Sequence, residues 1–174
     1  MPAFYAHERF GKKVWKQMHG ELKETIQEHF PQFQIGLQGP DIFFFYRLYS
    51  NNEVSKYGTN MHSVSAYPFF SQAVKIVQEK GRDSKEYAYL LGFLCHFMLD
   101  SECHPYINKV TQENNLSHTE IESEFDKLLI NEGCKNIKTL YNNSIDKTPC
   151  MMDNFYTSLK ENRPFPQRLN RYFN

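Results

Sequence analysis

The sequence predicts an all-α protein, a single compact multi-helix domain spanning residues 1–174, and three observations carry that expectation. Apolar residues recur at helical spacing, as where His7, Phe10, Gly11, Val14 and Met18 share one face of residues 4–18. The tetrapeptide Ser117-His-Thr-Glu120 matches a capping box, the reciprocal side-chain arrangement that opens a helix. Glycine and proline fall where helical segments should stop, at Pro31, Gly81 and Gly133. A chain of 174 residues can bury about two-thirds of its unfolded surface in one core. Its 40% hydrophobic and 16% aromatic content suits a packed globule rather than a disordered chain.

Taken in order, a first helix covers 4–18 with His7 pointing inward, and a second, 20–29, ends before Pro31. The glycines and proline of Gln34–Asp41 predict a loop. It leads into the aromatic run Phe43–Tyr46, whose conformation the pattern leaves open. The polar stretch Asn51–Asn60 predicts another loop. A helix follows from Val64 or Tyr67 to Glu79, with Phe70, Ala73, Val74 and Val77 inward and Gly81 as its stop. The central helix spans Ser84 to Cys103, and Pro105 predicts a turn at His104. From Ser117 a helix runs to Glu132, its inner face His118, Glu122, Phe125 and Leu129. Two weaker helices are expected beyond Lys135, the last broken by Arg163-Pro-Phe-Pro166.

Twenty basic and twenty acidic residues cancel to a net charge of +0, which argues against long nucleic acids as partners. The N-terminus shows no apolar core behind a basic start, so the chain reads as soluble and cytoplasmic. Its most apolar segment, Ala88–Leu99, is too short for a membrane span. The four cysteines form no C-x-x-C pair; Cys95 and Cys103 would lie about 12 Å apart along one helix, too far for a disulfide. All four are expected to be reduced core thiols.

The chemistry concentrates in His96-Phe-Met-Leu-Asp100-Ser-Glu-Cys-His104, on the apolar run Leu90–Leu99. A buried carboxylate costs several kcal/mol unless it is paired or coordinated, so Asp100 needs a partner. His96 stands one turn away on the same face. His118 and Glu122 repeat that histidine–carboxylate spacing on another helix, while Asp41, His62 and His7 add donors from three further segments. Nitrogen and oxygen donors without thiolate suit a catalytic metal that keeps a position open for water, zinc above all. Eight donors exceed one ion's needs, and multinuclear zinc is well suited to hydrolysing phosphate esters. His19 and His29 read as surface residues.

The succession His7, Gly39-Pro-Asp41, Met61-His62-Ser63, Tyr89 to Tyr106 and His118-Thr-Glu-Ile-Glu122 resembles the bacterial zinc-dependent phospholipase C family, which is related to the S1/P1-type nucleases. The resemblance implies an all-α enzyme with two or three zinc ions in a cleft between helices. It assigns Asp41, His62, His96 and Asp100 to the first zinc, and His104, His118 and Glu122 to the second. His7 and Asp100 would serve a third, with Asp100 bridging and the N-terminal residue completing the site. It implies metal-activated water attacking a phosphodiester, with Asp41 as orienting group or base and a phospholipid or other small phosphodiester as substrate. Ile42 and Thr59 stand where the family carries aromatics for choline. The alternatives are a nuclease or soluble phosphodiesterase, and a non-catalytic helical zinc-binding protein.

Overall fold

The computed structural model describes residues 4–47, 52–114 and 116–140. They form seven α-helices and one 3-10 helix, with no strand among the described residues. In order these are α1 (Phe4–Gln17), α2 (Glu21–Glu28), α3 (Phe30–Gly36), the 3-10 helix (Gly39–Phe45), α4 (Glu53–Ser63), α5 (Tyr67–Lys80), α6 (Lys85–Asn114) and α7 (His118–Leu140). The all-α expectation holds. Of the two weaker helices expected beyond Lys135, residues 136–140 instead continue α7; everything past Leu140, with the Arg163–Pro166 break and Cys150, lies outside the described residues, as do Met1, Pro2 and the Cys134 side chain. By compactness the chain divides into residues 7–106 and a second unit of residues 1–6 with 107–174.

The second helix ends before Pro31 as expected, at Glu28, while two segments expected to be loops are helical, each for a local reason. Pro31 sits at the start of α3, where its missing N–H has no helical partner to lose. Pro40 opens the 3-10 helix in the same way, so the predicted Gln34–Asp41 loop is the end of one helix and the start of another. The polar Asn51–Asn60 stretch, predicted as a loop, caps and forms α4 from Asn52 onward: Asn52 accepts from the Val54 and Ser55 backbone amides at 3.0 Å each, while Ser55 Oγ accepts from the Asn52 backbone at 3.4 Å. That is a capping box built on asparagine and serine.

Two predicted stops also fail. α6 runs through Pro105 rather than turning at His104. A proline inside a helix costs about 3 kcal/mol, and the hydrogen bonds on either side of it in this 30-residue helix outweigh that. Gly133 likewise lies within α7. Gly81 does end α5, at φ 97, and its N–H returns to Val77 O at 2.9 Å.

Within residues 7–106 the core is built on Ile26, Phe33, Leu37, Ala88 and Cys95. Burying a side chain such as Phe33 or Ile26 stabilises by about 1.5–3 kcal/mol. α3 crosses α6 at glycine: a Cβ on Gly36 would lie 2.2 Å from Tyr89 O, and one on Gly92 would lie 2.2 Å from Phe33 O. α5 docks through Phe69 and Phe70, whose rings lie 4.0 and 5.9 Å from that of Phe93. That contact leaves Val77 buried but turns Val74 outward, against the sequence expectation.

In the second unit, Asp126 rather than Phe125 is buried among the described side chains of α7, and Phe125 is 45% exposed. The Asp126 carboxylate accepts from Tyr5 N at 3.1 Å and Ala6 N at 2.9 Å, amides of the first turn of α1 with no helical partner. Those bonds decide which way α7 faces. The Ser117–Glu120 capping box is present: Ser117 N donates to Glu120 Oε2 at 2.8 Å and Glu120 N to Ser117 Oγ at 3.2 Å.

Candidate functional site

Four elements of residues 7–106 send polar side chains to one place. His7 comes from the buried face of α1, Asp41 from the first turn of the 3-10 helix and His62 from the last turn of α4. His96, Asp100 and His104 come from α6 at successive four-residue intervals, so one helix face presents all three. Continuation of the helix through Pro105, not a turn, brings His104 back toward Asp100. Its Nδ1 lies 2.8 Å from Asp100 O, a bond it can make only as donor.

Asp100 is the hub. Its Oδ1 lies 3.3 Å from His7 Nε2 and 3.7 Å from His104 Nδ1. Its Oδ2 lies 3.4 Å from His96 Nε2 and 3.9 Å from His62 Nε2. The two oxygens thus serve different imidazoles. Burial pushes this carboxyl up, but the facing imidazoles of His7 and His96 push harder and hold it well below the usual carboxylate range. Asp41, 3% exposed, places Oδ1 3.0 Å from His62 Nε2. That hydrogen bond chiefly raises His62 to about 9, against the opposing effect of burial and with help from the Gly58 carbonyl.

Hydrogen bonds to backbone carbonyls fix the tautomers. A carbonyl can only accept, so His96 Nδ1, 3.2 Å from Leu37 O, carries a proton, and so does His62 Nδ1, 2.8 Å from Gly58 O. In each neutral ring the lone pair is then on Nε2, aimed at a carboxylate oxygen. A lone pair facing an anion is repulsive unless a cation joins them.

Protonating every ring is a poor remedy, because His7 and His96 stack at 4.1 Å with 21° between their planes. Two imidazolium rings so placed would repel in a buried setting. His96 Nε2 and His7 Nδ1 are, moreover, buried without a hydrogen-bond partner. Divalent metal resolves these conflicts together, and the donor types fit zinc. His7, His96 and Asp100 offer ligand atoms within 4.8 Å of one another, and so do Asp41, His62 and His96.

The remaining expected donors, His118 and Glu122, belong to the second unit, where His118 Nε2 lies 2.9 Å from Glu122 Oε1. His29 bonds Asp83 O at 3.0 Å at the surface, and His19 is exposed, as expected. Cys95 is a buried free thiol raised to about 11 by burial, in keeping with a structural role.

Sequence reasoning missed the carbonyls of Leu37 and Gly58, which carry no side-chain signature. It also missed Phe44, stacked on His62 at 5.7 Å. The aromatic run was visible, but the 3-10 geometry that directs this ring was not.

Residues 6–163 match the family model described as zinc dependent phospholipase C. No curated protein and no solved structure matches the chain.

Proposed function

The chain belongs to the zinc-dependent phospholipase C family, and from that premise we propose that it hydrolyses a phosphodiester, of a phospholipid or a similar small molecule. The observation that carries the proposal is the meeting of His7, Asp41, His62, His96 and Asp100, whose ligand atoms form groups within 4.8 Å of one another. In this proposal Asp41, His62, His96 and Asp100 hold one zinc, and His7 with Asp100 a further one. Asp100 would serve both, in keeping with the division of its two oxygens between different imidazoles. His118 and Glu122, 2.9 Å apart on α7, are proposed to serve another.

When bound, zinc supplies Lewis acidity and lowers the pKa of water. The chain's own residues do the rest. Asp41, buried on the 3-10 helix, orients the attacking water and accepts its proton as the new O–P bond forms, while the P–O ester bond opposite breaks and the departing alkoxide takes a proton from solvent to leave as the alcohol. The Leu37 and Gly58 carbonyls hold His96 and His62 in the tautomer that keeps Nε2 free. Phe44 packs flat against His62 and restricts that ring's rotation.

The test is to purify the protein without chelator, measure zinc per chain and assay diesters of the choline, ethanolamine, inositol and nucleotide classes. Two or three zinc ions and turnover lost on His96→Ala are expected. Fewer than two ions, with no turnover of any class, would leave a helical metal-binding protein. Turnover of the nucleotide class alone would make it a nuclease-like phosphodiesterase.

A further inference from the structure

We propose that Gly39 is a positioning residue, whose missing side chain lets the His96 imidazole lie against the backbone at the start of the 3-10 helix. A Cβ on Gly39 would lie 2.2 Å from His96 Cδ2, 2.4 Å from Cγ and 2.6 Å from Nε2. Approach along the ring edge at Cδ2 would leave the other two atoms much farther away, so the added methyl would sit over the ring plane. Any side chain at 39 therefore displaces this ring.

His96 has little room to yield. It is 2% exposed, stacks on His7 at 4.1 Å and is tied through Nδ1 to Leu37 O, two residues before Gly39. Gly39 also adopts φ 51, a left-handed conformation that L side chains rarely take. One short segment, Leu37 to Asp41, thus bonds the ring, supports it and supplies the carboxylate facing His62. The inference that this placement matters for metal rests on the proposed zinc role of His96. The contact itself does not.

Gly20 supplies the control. It has φ 62 with nothing within 4 Å of an added Cβ, so Gly20→Ala reports backbone strain alone. Zinc affinity and the thermal midpoint of the zinc-free protein are measured for wild type, Gly20→Ala, Gly39→Ala, His96→Ala and Gly39→Ala/His96→Ala. Gly39→Ala is expected to bind zinc about 10- to 100-fold more weakly than wild type, the range typical for residues that orient ligands. Gly20→Ala should keep wild-type affinity. The midpoint lost to Gly39→Ala should exceed that lost to Gly20→Ala, and the excess should vanish when His96 is alanine.

Equal zinc affinity in the two glycine variants would overturn the proposal, as would an excess midpoint loss that persists without His96. Should Gly39→Ala alone fail to fold, recovery of folded protein in the double variant supports the proposal and continued failure overturns it. Wild-type protein that binds no zinc would refute the functional proposal instead, leaving the midpoint comparison to decide the contact.

Discussion

Asp100 carries more of the site than any other residue, since four imidazole nitrogens lie within 3.9 Å of its carboxylate. Asp100→Asn keeps the volume and removes the charge, so it should release more zinc per chain than His62→Gln, which alters one donor; metal analysis after gel filtration checks this. His62 sets the pH behaviour of the zinc-free protein. Its folded pKa, about 9, is raised above the ordinary 6.5. The Asp41–His62 pair therefore stabilises fully below pH 6.5, and that contribution is lost as pH climbs through about 9. The midpoint in chelator should fall across this window, and His62→Gln should flatten the profile. Zinc must displace the same proton, so its apparent affinity should rise over the same range. At this scale the sequence was informative for His96, Asp100 and His104, because four-residue spacing on one helix already implies a shared face. It was uninformative about which of them meet His7, Asp41 and His62, because tertiary packing alone sets those distances.

Among the elements, the errors of sequence reading cluster at proline and at polar helix starts. Pro31 and Pro40 begin helices, yet the residues around them carry the composition of a loop. Asn52–Ser55 caps α4 with residues that also favour turns. Pro105 was expected to stop α6 and is instead accommodated within it. Pro105→Ala should restore the hydrogen bond to Ser101 O. Set against the entropy that proline removes from the unfolded chain, the gain should be about 2 kcal/mol. A raised urea midpoint checks this, whereas an unchanged one would mean that the proline's shape serves packing at that turn. The helices bounded by plain signals were legible: α1 by its periodicity, α5 by Gly81 and α7 by its capping box.

For the whole molecule, helical periodicity and the short apolar run Ala88–Leu99 were enough to anticipate an all-α chain with no helix, among the described residues, long and apolar enough to cross a membrane. The way zinc binding couples to stability is a property of the entire fold, since the unfolded chain cannot assemble donors drawn from α1, the 3-10 helix, α4 and α6. Free zinc at 1,000 times Kd should stabilise by about 4 kcal/mol per ion. For a chain of this size that is an increase of roughly 8–16 °C in Tm per ion. Differential scanning calorimetry with and without chelator measures it, and Asp100→Asn should abolish most of the difference.

The single tryptophan, Trp15, rides on α1 two turns beyond His7, with its ring 4.9 Å from Phe30. His7 in turn is stacked on His96. Zinc release that loosens this stacked pair would shift α1, and α1 is the rod through which that movement reaches the indole. The protein therefore carries its own optical gauge of site integrity: a shift in Trp15 emission on adding chelator, reversed by added zinc, would follow the two stacked histidines through a fluorophore two turns along the same helix.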